Sequence, residues 1–111
     1  MSATNDALNE AADGVVLDSI QLHSGDPGSD GTSNVITGTM TDVTYGAATD
    51  GVREVDTPVD ITVPGGSTVS HYSVWGAGTL KTYNSFPNSE SYNGEGIARI
   101  DTAEFSVTSG T

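Results

Sequence analysis

The feature that most restricts this chain is a series of short stretches in which apolar and polar residues alternate one by one. In Val59-Asp60-Ile61-Thr62-Val63 the aliphatic side chains take every second position. Ala103, Phe105 and Val107 alternate in the same way with Glu104, Ser106 and Thr108. A period of two puts one set of side chains on each face of a pleated strand, so each block predicts a strand with one buried and one wet side. Comparable blocks cover residues 39–45, 52–56, 69–75, 79–86 and 97–101, and a strand through Leu17, Ile20 and Leu22 precedes them and ends at His23. Turn-forming steps separate them: Asp26-Pro27-Gly28, Asp30-Gly31, and Pro64-Gly65-Gly66-Ser67, which reads as a hairpin turn. About seven or eight short strands at this spacing predict one small all-β domain. A jelly-roll-like β-sandwich is the first expectation and an immunoglobulin-like one the second.

One segment breaks the pattern. Residues 4–13 (TNDALNEAAD) predict a short helix, capped by Thr4, Asn5 or Asp6 and stopped at Gly14. The expected division is therefore an N-terminal arm and helix over 1–14 and a β-sandwich over 15–111. Leu8, Ala11 and Ala12 make a narrow apolar face, too small to hold the helix alone, so these residues are expected to dock on another surface. Tyr72 and Trp75 belong to an aromatic group with Tyr83, Phe86 and Tyr92. They are expected in the core or at a subunit interface. The loop 24–34 is expected to form an exposed tip or an inter-subunit contact.

Charge narrows the partners. The chain of 111 residues carries 15 Asp and Glu against three basic residues, Arg53, Lys81 and Arg99, for a net charge of −12. Such a field repels phosphate, which argues against nucleic acid and against an anionic membrane surface. No apolar run is long enough for a membrane span or a signal-peptide core, so no membrane insertion is expected. The acids are read as scattered over the whole surface, where their mutual repulsion opposes compaction in dilute salt. At ~1 M salt the Debye length shrinks to about 3 Å and the penalty fades, which suits a protein working in brine.

Chemistry is thinly represented, and no enzyme is expected. With no cysteine, disulfides, thiolate zinc sites and cysteine nucleophiles are all excluded. A nucleophilic triad would have to use His23 or His71, and no G-x-S-x-G elbow accompanies either. Gly76-Ala77-Gly78 and Gly94-Glu95-Gly96 read as turns rather than phosphate loops. The stretch Asp26-Pro27-Gly28-Ser29-Asp30-Gly31 offers two carboxylates, Asp26 and Asp30, as candidate calcium ligands. It lacks the alternating ligand spacing and terminal glutamate of an EF-hand, and an exposed turn is the default. A two-histidine, one-carboxylate metal site would need His23 and His71 side by side. No other cofactor is implied.

The segment IQLHSGDPGSDGTSNVITG (20–38) resembles small virion proteins of tailed viruses, variously decoration, head-fibre or minor tail proteins. Tyr45-Gly46-Ala47-Ala48, Val59 to Pro64, Gly66 to Val69 and Tyr72-Ser73-Val74-Trp75 follow in the family's order, so the resemblance spans about residues 5–86. It implies a non-enzymatic virion protein that forms a homo-oligomer, a trimer or pentamer, on the major capsid protein or another virion protein. The acidity is unlike that of bacterial members and fits a virus of a halophilic archaeon. The expected function is capsid decoration, stabilising the shell or presenting an adsorption surface, with localisation on the virion. A minor tail or tail-tip protein that touches the host is the first alternative, and a secreted carbohydrate-binding β-sandwich module is the second.

Overall fold

The computed structural model describes residues 10–106. Eight strands follow one another: β1 (Ser19–His23), β2 (Thr41–Asp42), β3 (Val52–Arg53), β4 (Val59–Val63), β5 (Ser67–Gly76), β6 (Thr79–Tyr92), β7 (Gly96–Ile100) and β8 (Phe105–Ser106). The fold is all-β, as expected. β2-β1-β5-β6 form a four-stranded antiparallel sheet, and β4 with β7 and β3 with β8 form two-stranded antiparallel sheets.

The core follows directly from the alternation. Ile20 and Leu22 of β1 lie opposite Val74 and Tyr72 of β5. They join one buried cluster with Ile61 and Val63 of β4 and Ala98 and Ile100 of β7. Each fully buried aliphatic in such a cluster contributes roughly 1.5–3 kcal/mol. Tyr72 stacks at a tilt on Phe86, with ring centroids 4.9 Å apart, so Tyr72 is a core residue rather than an interface anchor.

Several expectations are corrected. Pro64–Ser67 is not a hairpin turn, because β4 pairs with β7 while β5 pairs with β1 and β6; the turn carries the chain from one sheet to another. The hairpin lies at Ala77-Gly78, where both residues have positive φ (51° and 78°), the combination a tight two-residue connection of twisted strands requires. Gly76 beside it is dictated by space, since a Cβ there would sit 1.7 Å from the Val16 carbonyl oxygen. The block 79–86 continues to Tyr92, giving a strand of 14 residues. At ~3.3 Å per residue such a strand is long enough to cover most of the molecule's 48 Å axis. The block 39–45, by contrast, pairs only at Thr41–Asp42 and at an isolated bridge from Tyr45 to Val55.

Of the expected helix, residues 10–13 are described and helical, closed by the Gly14 N–H donating to Glu10 O at 3.0 Å. Leu8 lies outside the described residues. Ala12 is fully buried in the chain's own core, which removes it from any docking face, whereas Ala11 is exposed. Among the described residues no helix is long and apolar enough to cross a membrane.

Candidate functional site

Gln21 and His23 alternate with Ile20 and Leu22 and so face away from the apolar core. That second face of the sheet is not wet. Residues 24–40 fold back across it, leaving Gln21, His23, Thr39 and Ser73 buried. A buried polar group must keep its hydrogen bonds or destabilise the fold, and here they are supplied. The Gln21 amide nitrogen donates to Ile36 O at 2.9 Å, to Leu22 O at 3.0 Å and to the Thr39 hydroxyl. Thr39 Oγ1 donates in turn to Ile36 O at 2.7 Å and accepts from Leu22 N at 3.2 Å. Among the described residues no buried side-chain nitrogen or oxygen lacks a partner.

The centre of this layer is His23, which is 0% exposed. Its Nδ1 lies 2.8 Å from Ser33 O, and its Nε2 2.7 Å from Ser73 Oγ. Trp75 Nε1 donates to the same serine oxygen at 2.8 Å. A carbonyl only accepts, so Nδ1 carries the hydrogen and Nε2 accepts from the Ser73 hydroxyl. The chain of donors therefore runs in one direction: Trp75 to Ser73 to His23 to Ser33. Burial pushes the His23 imidazole below the ordinary histidine range. The Ser33 bond opposes this, and the charge of His71 adds to it. A serine bonded to a histidine, itself oriented by a carbonyl, has the connectivity of a nucleophile and its base. Ser73 is 0% exposed, however, and its oxygen already receives the Trp75 donor. The arrangement as it stands braces the fold.

The loop 24–34 is an internally tied body rather than a projecting tip. Ser24 N donates to Asn34 O at 2.9 Å, closing its ends. Ser33 N donates to Pro27 O and the Asn34 amide to Asp26 O, both at 2.9 Å. Its two candidate calcium ligands are spent on turns: Asp26 Oδ1 accepts Gly28 N at 2.8 Å, and Asp30 Oδ1 accepts the Thr32 amide at 3.1 Å and hydroxyl at 2.8 Å. Those Thr32 bonds hold the Asp30 carboxyl below its usual range. Pro27 and Gly31 are buried. Gly31, at φ 74°, lies against Trp75 and Leu80, where a Cβ would approach Trp75 Cζ2 to 2.8 Å. Trp75 is thereby half-buried beneath the loop, neither in the apolar core nor free on the surface.

The register does set His23 opposite His71 on neighbouring strands. Both His23 nitrogens are engaged, and His71 Nδ1 pairs with Ser70 Oγ at 2.8 Å. Among the described residues no group of three or more His, Cys, Asp or Glu is placed to hold a metal ion. Of the three cations, Arg53 acts inside the molecule. Its guanidinium donates to Val15 O at 2.8 Å, Gly46 O at 2.9 Å and Ala12 O at 3.2 Å, and lies over the Tyr45 ring. It thus ties the end of the helix to the segment around Tyr45, whose hydroxyl bonds to Ala103 O.

The charge is also distributed differently from the sequence-based expectation. From Ile61 to Ser89 there is no acidic residue, so β5 carries none and β6 carries only Lys81 and Glu90. All fifteen acids lie elsewhere in the chain or at Glu90. Asp50, Glu54, Asp56 and Glu104 line a surface cleft of about 580 Å³.

His23 was missed as a structural centre because an isolated histidine at a strand end has no signature. The available signal was the pair Gln21 and His23 on one face of a strand. Fold and site together define a small all-β domain with a sealed polar layer on one sheet face. Comparison with family models, with curated proteins and with solved structures finds no match.

Proposed function

We propose that the chain is a non-enzymatic virion protein of a halophilic tailed virus, decorating the capsid as a closed homo-oligomer. The observation that carries this reading is the outer edge of β6, where residues 79–89 include no acid and Glu90 alone stands near the strand's end. Two bodies of charge −12 repel, and the contact that costs least is one where neither presents carboxylates. β6 ends the four-stranded sheet, and among the described residues nothing pairs with its outer side. Tyr83 stands exposed on it.

The same strand is guarded against open-ended pairing. The only lysine of the chain, Lys81, lies at one register shift of the β5–β6 pair, and Pro87 lies within the other. Edge charges, prolines and bulges block strand-on-strand growth. Contact through side chains in a closed ring fits this edge better than a fibre. The residues that carry the resemblance to tailed-virus proteins also have structural roles here: His23 and Gly31 fix the loop, and Tyr45 and Tyr72 fill the core.

Molar mass by light scattering in ~3 M and ~0.1 M salt tests the reading, because screening weakens steeply between them. The expected result is a trimer or pentamer in brine that dissociates on dilution, and that Tyr83→Asp reduces to a monomer with its sheet intact. A monomer in both buffers overturns it.

A further inference from the structure

We propose that His23 is an acid-sensitive latch: its neutral ring holds the loop 24–34 on the sheet, and protonation releases the loop and uncovers Trp75. The inference is independent of the virion reading. It rests on the one-way chain of hydrogen bonds through a fully buried ring.

A second proton on the ring would have to sit on Nε2, pointing at Ser73 Oγ 2.7 Å away. That oxygen would then face two donors, the ring and Trp75 Nε1, and the serine's own hydrogen would lose its acceptor in a dry site. The new charge would also lie across from His71 on the neighbouring strand, whose charge opposes it. Among the described residues the partners of the ring, Ser33 O and Ser73 Oγ, carry no charge to compensate it. The loop's own acids, Asp26 and Asp30, are exposed and hold their Oδ1 atoms on Gly28 and on Thr32. β5 contributes His71 and the core residue Tyr72; β6 contributes Lys81, Tyr83, Tyr92 and Glu90, which pairs with Val69 two positions along β5 from His71; residues 35–40 contribute no titratable group.

The release is local because the loop is braced within itself. Its ends are tied by the Ser24–Asn34 bond, so it can swing as one piece. Its attachments include the His23–Ser33 bond, the bridge from His23 to Val35, the seat of Gly31 on Trp75 and Leu80 and the fully buried Pro27 ring. The sign follows from burial. The closed loop disfavours the charged ring, so closure is complete above the ordinary histidine value of about 6.5 and weakens as pH falls below it.

Trp75 is the only tryptophan, so its emission reads the latch directly. Fluorescence and acrylamide quenching would be followed from pH about 7.5 to about 5, above the range where ordinary carboxylates titrate. Far-UV circular dichroism would be recorded alongside. The expected result is a red shift and increased quenching as pH falls, with the sheet signal unchanged. His23→Gln should abolish the transition, and His71→Gln should move it to higher pH. In the unmodified protein the His23 ring resonances should titrate together with the Trp75 change, which keeps the test open if His23→Gln does not fold. Constant Trp75 emission across the range, a change that coincides with loss of the sheet signal, or a transition that persists in His23→Gln would each overturn the latch.

Discussion

Ala77 pays a conformational penalty that the molecule could shed. Its φ of 51° lies in the left-handed region, where a Cβ is crowded, and its amide is held there by Asp18 Oδ2 at 3.1 Å. The same bond draws the Asp18 carboxyl below its usual range. Replacing Ala77 with glycine removes a strain of roughly 1–2 kcal/mol and adds roughly 0.4–1 kcal/mol of unfolded-chain entropy. The net expectation for Ala77→Gly is a gain of about 0.5–1 kcal/mol, measured by urea unfolding of both proteins under the same salt. A loss of stability would mean that the turn does not hold Ala77 in this conformation. Ala12 teaches a related lesson. A small apolar residue on a short helix looks like a docking surface in the sequence, yet the Arg53 guanidinium binds its carbonyl and the core takes its side chain.

The sealed layer between β1, β5 and the 24–40 segment is where individual elements meet, and Ser73 joins them. Ser73→Ala leaves His23 Nε2 and Trp75 Nε1 without their shared partner. The expected cost is about 1–3 kcal/mol, with a change in Trp75 emission at neutral pH. Unchanged stability would show that the relay carries little of the loop's attachment. The limits of sequence reading are clearest here. β4 was legible to the residue, because Val59, Ile61 and Val63 alternate without interruption and all three pair along β7. The partner was not legible: alternation fixes which face is apolar but not which strand lies alongside, so Pro64–Ser67 read as a hairpin when it crosses between sheets. The polar face of β1 shows another limit. Gln21 and His23 alternate with Ile20 and Leu22, and only the path of a loop with no periodicity of its own turns their side into an interior. The site was therefore less legible than the fold, since it depends on contacts such as Ser73 to His23, which lie 50 residues apart in sequence.

At the scale of the whole molecule, the salt response and the charge map belong together. The charge of −12 predicts that the protein tightens as salt rises, and the acid-free stretch from Ile61 to Ser89 predicts that it does not tighten evenly. The β5–β6 ribbon has little repulsion to relieve, while the segments bearing Asp42, Asp50, Glu54 and Asp56 have much. Diluting the brine should therefore open the molecule in a set order. Backbone amides of β2 and β3 should lose protection against deuterium first, while those where β5 pairs with β1 stay slow until the chain unfolds as a whole. Native-state exchange across a salt series checks this, and a uniform rise in exchange rate would contradict it. On that account the ribbon is a keel: the part of the structure whose integrity does not depend on the sea it sits in.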